Sequence, residues 1–256
     1  MNVQNGGFWM LVSCLVVLLG FEPISNTTIF AEEVGLTGLR DGNRWTIPLA
    51  PVGPTRIPRV FASIRSATFQ NMPNAAIVVH PEIEFWELRY EGAPKSPSAV
   101  IEFDSPPLLQ SECPAIKQAG DGTITLACSQ GITVGEKLRF EPQPHKNTIG
   151  YWAVAGDHVS WNVDVEQPFD FNVGILQGCG PNGGGTAKVS LLHRDKRVDS
   201  FEFEVETTGH FQNFVWRNVG KLAVKEPGQY VVRIEAVKIS DAALMDVRQL
   251  HLSPKR

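Results

Sequence analysis

Between residues 158 and 165 the chain reads His-Val-Ser-Trp-Asn-Val-Asp-Val, with Val159, Trp161, Val163 and Val165 alternating against Ser160, Asn162 and Asp164. A period of two puts every apolar side chain on one face of an extended strand, so this segment is a half-buried β-strand. Residues 169–173 repeat the pattern, and β-forming runs recur at 123–128, 137–140, 187–192, 201–206, 221–224, 230–236 and 247–252. Their spacing of roughly 8–12 residues is that of a sandwich. No stretch of useful length shows the helical period, and 23 glycines and 18 prolines supply turns. These features predict an all-β chain whose residues 111–256 form a two-sheet antiparallel jelly-roll β-sandwich of eight or nine strands.

Upstream the signals are weaker. Residues 59–110 carry short β-forming runs at 76–80, 83–90 and 99–103, enough for a small β-rich extension of hairpin or meander type. Pro48, Pro51, Pro54 and Pro58 make residues 32–58 an expected extended lead-in. Residues 8–21 (FWMLVSCLVVLLGF) are apolar but shorter than the ~20 residues of a spanning helix. They read as the core of a signal peptide over 1–31, with Ile29 and Ala31 at the two positions before the expected cleavage that prefer small or compact residues, although no Lys or Arg precedes Arg40. The expected location is therefore secreted, periplasmic or cell-surface. Leu11-Val12-Ser13-Cys14 also matches a lipoprotein cleavage pattern, but the apolar run continues past Cys14, which argues against lipidation. Cleavage leaves Cys113, Cys128 and Cys179, which can form at most one intramolecular disulfide.

A net charge of −4 without a basic run excludes the electrostatics of nucleic-acid binding. The glycine-rich stretch Gln177-Gly178-Cys179-Gly180-Pro181-Asn182-Gly183-Gly184-Gly185 lies between two predicted strands. A phosphate cradle of this kind needs a helix start after the glycines, so the stretch is instead a sheet-end loop. A Cys179 nucleophile would need a base from His145, His158 or His210, and nothing in their spacing brings one to it. Metal patterns of the H-E-x-x-H and C-x-x-C kinds are absent, and Cys113-Pro114-Ala115-Ile116-Lys117 lacks the Arg of a sulfatase nucleophile motif. No enzyme and no cofactor is expected, a jelly-roll lyase using His210 and Tyr230 being the lesser reading.

Residues 121–254 resemble the galactose-binding-like jelly rolls appended to secreted bacterial sulfatases and fucosidases, which are related to carbohydrate-binding modules. The resemblance runs through Asp121 to Leu126, Leu138-Arg139-Phe140-Glu141-Pro142, His145 to Trp152, Trp161, the glycine loop, Thr208-Gly209-His210-Phe211-Gln212-Asn213-Phe214 and Met245 to Leu250. It implies a sugar site at one end of the sandwich, with Tyr151 or Trp152 as one aromatic platform and Phe211 as the other. Adjacent residues of an extended segment point opposite ways, so at most one of Tyr151 and Trp152 faces such a site. His210, Asn213 and Asn182 are the expected polar contacts. The resemblance also implies a structural calcium, for which Glu141 and Asp246 are the candidate carboxylates. The expected partner is a polysaccharide or glycan; the alternative is a structural or protein-interaction module that packs on a partner enzyme.

Overall fold

The computed structural model describes residues 38–91 and 94–255, so the expected signal peptide lies outside the described residues. Twenty strands and two single turns of 3-10 helix make up the regular structure there. The first eight strands are β1 (Leu39–Asp41), β2 (Arg44–Pro48), β3 (Thr55–Pro58), β4 (Ile64–Phe69), β5 (Met72–Ala76), β6 (Val78–Pro81), β7 (Phe85–Arg89) and β8 (Ser98–Phe103). They form a five-stranded sheet in the order β1-β2-β8-β4-β5 and a three-stranded sheet in the order β3-β7-β6.

This is more structure than the sequence predicts before residue 58. Pro48 and Pro58 close β2 and β3 at their last residues, and Pro51 and Pro54 lie in the connection, where a missing N–H breaks no ladder. Trp45 and Ile47 turn inward on β2 and are fully buried, with Trp86, Leu88, Ile101 and Phe103 in the same apolar cluster. Each such side chain contributes about 1.5–3 kcal/mol on burial, which outweighs the weak local pattern. Residues 59–110 are accordingly part of a two-sheet unit rather than a hairpin or meander.

The remaining strands are β9 (Ile116–Lys117), β10 (Ile124–Ala127), β11 (Ile132–Val134), β12 (Arg139–Glu141), β13 (Thr148–Gly150), β14 (His158–Val165), β15 (Asp170–Gly178), β16 (Gly185–His193), β17 (Lys196–Val205), β18 (Val215–Ala223), β19 (Gly228–Ile239) and β20 (Asp246–Pro254). One sheet runs β12-β13-β20-β15-β18, with β10 also on β20; the other runs β11-β14-β19-β16-β17, with β9 on β14. From β13 onward the chain changes sheet at every connection except the β16–β17 hairpin, which makes the sandwich a jelly roll. All strand pairs are antiparallel except β9 with β14. Val159, Trp161, Val163 and Val165 fill the space between the sheets with Phe171, Val173, Ile175, Val232, Ile234, Leu250 and Leu252. The Trp161 indole donates to the Ala127 carbonyl at 2.8 Å, so its one polar atom is satisfied inside the core.

Arg59 ties the two parts together. Its guanidinium donates to the Gly131 carbonyl at 2.5 Å and the Thr133 hydroxyl at 3.2 Å, and stacks 4.4 Å from the Phe61 ring centroid. Burial lowers its pKa to about 10, so it remains charged at neutral pH.

Candidate functional site

The outward face of the β10-β20-β15-β18 sheet is polar where the inward face is apolar. On β20, Leu250 and Leu252 point into the core, so Gln249, His251 and Ser253 point out. On β15, Val173 and Ile175 point in, which turns Asn172 and Gly174 outward. Pairing places Thr125, His251, Gly174 and Asn218 in one row across four strands. Trp216, on the edge strand β18, is half exposed (50%). Its ring leans over Gly174, where an added Cβ would stand 3.5 Å from the indole. The indole and the His251 ring are set edge to face, centroids 6.4 Å apart and planes at 79°.

These residues border a groove of about 510 Å³. Its lining also includes Arg217, which is ion-paired with Glu206. The His251 Nδ1 lies 3.1 Å from the Thr125 hydroxyl, leaving Nε2 without a protein partner among the described residues. One exposed ring, three amides on Asn172, Asn218 and Gln249, and an imidazole therefore line an open, solvated trough. A larger cavity of about 820 Å³ lies beside Arg59 and Leu109, but the aromatic ring in its lining, Phe61, is buried. Sequence reasoning misses Trp216 and His251. Val215 and Trp216 are both exposed, and the register between β15 and β18 shifts at Val173/Gly174, so β18 has no clean alternation before Lys221.

The loop-end residues lie elsewhere. Trp152 is completely buried, its indole donating to the Asp157 carbonyl at 2.9 Å, so it is a core residue and offers no platform. Tyr151 is 42% exposed, with the Arg139 guanidinium stacked 4.2 Å from its centroid. Phe211 is half-buried against the glycine loop: a Cβ on Gly180 or Gly183 would come within 2.6 and 2.9 Å of its ring. A Cβ on Gly178 would strike the Phe211 carbonyl oxygen at 1.9 Å. Gly178, Gly180 and Gly183 are thus explained by close packing of 210–211 on the loop, and Gly184 and Gly185 by φ of +118° and +134°.

His210 and Asn213 organise their own turn. The His210 Nδ1 accepts from the Gln212 N–H at 3.0 Å, and the Asn213 amide donates to the Thr208 carbonyl at 2.6 Å. The Asn182 carbonyl accepts from the Ala242 N–H at 3.1 Å. None of Tyr151, Trp152, Asn182, His210, Phe211 and Asn213 lines the groove at Trp216 or the cavity beside Arg59. Cys113, Cys128 and Cys179 are free thiols. Burial raises the pKa of each, that of Cys128 to about 12, which leaves Cys179 a thiol rather than an activated thiolate.

Glu141 and Asp246 do meet. Both are nearly buried, and their oxygens Oε1 and Oδ1 lie 2.7 and 3.0 Å from the point a Gly150 Cβ would occupy. The Lys146 ammonium is ion-paired with Glu141. Arg248 donates to the carbonyls of His145 at 3.1 Å and Lys146 at 2.9 Å. Burial, followed by the Glu141 charge, pushes the Asp246 carboxyl up to about 8 against the pull of Lys146 and Arg248. Calcium requires six to eight oxygen ligands, with carboxylates free to ligate. Here one carboxylate and two loop carbonyls already accept from the protein's own cations, and no third acidic, histidine or cysteine side chain joins the pair among the described residues. The donor set does not fit calcium.

No protein-family model and no curated protein sequence matches the chain. Among solved structures, it is similar to the C-terminal family 6 carbohydrate-binding module of LamC, a marine laminarinase from Zobellia galactanivorans, at 14% identity and TM-score 0.40, covering 51% of this chain and 98% of that one. A family 35 carbohydrate-binding module from Clostridium thermocellum matches at 15% identity and TM-score 0.36, over 56% of this chain and 99% of the other. An alpha-L-fucosidase from a Vibrio species matches at 12% identity and TM-score 0.36, over 86% of this chain. The present chain spans 41% of that fucosidase.

Proposed function

We propose that this protein binds carbohydrate through the sheet-face groove around Trp216, without itself making or breaking bonds. The observation that carries the reading is the half-exposed indole of Trp216, on the edge strand and set over Gly174, with the polar side chains of Asn172, Asn218, Gln249 and His251 around it. The exposed indole beside Gly174, rimmed by polar side chains, is a flat apolar platform on which the apolar face of a ligand can stack. A pyranose presents a C–H face that stacks on such a ring and a rim of hydroxyls that needs amide and imidazole partners. Asn172, Gln249 and His251 supply those around the same trough. The apolar segment at 8–21 supports placing this activity outside the cell. Co-sedimentation with insoluble polysaccharides and titration against soluble glycans test the reading: saturable binding to at least one is expected, and no binding to any would refute it.

A further inference from the structure

The end of the sandwich at β12, β13 and the start of β20 brings together two carboxylates that would repel each other in a buried setting. Glu141 and Asp246 are 4% and 8% exposed. They face across Gly150, the residue paired with Arg139 on β12, where any side chain would separate them. Such a pair is stable only with a compensating cation or a proton. The charged groups around it are Lys146, ion-paired with Glu141, and Arg248, whose guanidinium holds the 145–146 carbonyls and stacks 3.9 Å from the Phe214 ring centroid.

We propose that the chain carries its own cation at this point: Lys146 neutralises Glu141 beside the buried Asp246 carboxyl in place of a metal ion, and the fold takes no calcium there. The Lys146 side chain has the geometry for it. It reaches Glu141 from the loop between β12 and β13, five residues along the chain, and Arg248 fastens that loop by its backbone carbonyls. Arg248 thus occupies both lone pairs of the Lys146 carbonyl and one of the His145 carbonyl, and its own positive charge opposes a second cation there.

The test is thermal unfolding of the full protein and of Lys146→Met, Glu141→Gln and the double variant, each with calcium chloride or with a chelator. Lys146→Met keeps the aliphatic stem and removes the charge. The wild-type midpoint is expected to be the same in calcium and in chelator. Lys146→Met is expected to unfold about 5–10 °C lower, and adding Glu141→Gln to restore most of that loss, because the unpaired carboxylate is then gone. A wild-type midpoint that rises with calcium, and no longer does so in Glu141→Gln, would overturn the proposal. So would a Lys146→Met protein as stable as the wild type. If Lys146→Met does not fold, a folded double variant supports the proposal and an unfolded one overturns it.

Discussion

Trp216 and His251 stand edge to face across the outer surface of one sheet, 6.4 Å between ring centroids, although they lie on strands separated by β15. Gly174 occupies the intervening strand, in register with His251 on one side and Asn218 on the other, and leaves no side chain between the two rings. Residue 174 sets the floor of the groove.

Substitutions at Gly174 should therefore separate fold from binding. A Cβ there would make ordinary contacts, 3.5 Å to the Trp216 ring and 3.6 Å to the His251 carbonyl oxygen. Gly174→Ala should fold and bind nearly as the wild type, whereas Gly174→Leu should fill the trough and lower glycan affinity at least tenfold. Calorimetric titration of the two variants measures the difference, with circular dichroism as the control for fold.

Phe211 gives the complementary result. Its ring covers Gly180 and Gly183, so Phe211→Ala leaves a void beside the glycine loop and should cost about 1–2 kcal/mol in chemical denaturation. Because the ring lies outside the groove lining, affinity for glycan should not change. A Phe211→Ala protein that folds but no longer binds would return the site to the loop end.

Asp246 predicts a dependence on pH. Its carboxyl rises from 3.8 to about 8 on folding, chiefly through burial and then through Glu141. The folded chain then holds a proton that the unfolded chain has released between those values, so this group makes stability fall as pH rises from about 4 to about 8. Asp246→Asn removes the titration while leaving the Lys146–Glu141 ion pair in place. It should match the wild type near pH 4 and exceed it by on the order of 2 kcal/mol at pH 8 and above. Urea midpoints across that range measure it; a parallel pair of pH profiles would contradict the assignment.

The sandwich is largely legible in the sequence because burial on one face imprints a period of two. His158–Val165 is the clearest instance, and β14 has those limits. What fails to show is informative. Trp45 and Ile47 carry only two inward positions between prolines, too short a pattern to mark a core strand. Trp152 sits in an irregular segment where adjacency to Tyr151 leaves open which ring turns inward, and the Asp157 carbonyl decides it. Trp216 lies next to exposed Val215 and close to the register shift at Val173/Gly174, which breaks the alternation, so a search for core patterns passes over it. The Glu141–Asp246 contact was readable as a pair of candidates, but the ammonium placed on Glu141 is a tertiary fact with no signal in spacing.

Whether glycan is held on the sheet face can be decided by comparing two proteins. Affinity electrophoresis of wild type and Trp216→Ala should be run through gels containing each polysaccharide that retards the wild type. Loss of a stacking platform costs about 2 kcal/mol or more, roughly thirtyfold in affinity, so Trp216→Ala should migrate as though the polysaccharide were absent. A folded Trp216→Ala protein retarded as strongly as the wild type would show that the glycan is not held on this face.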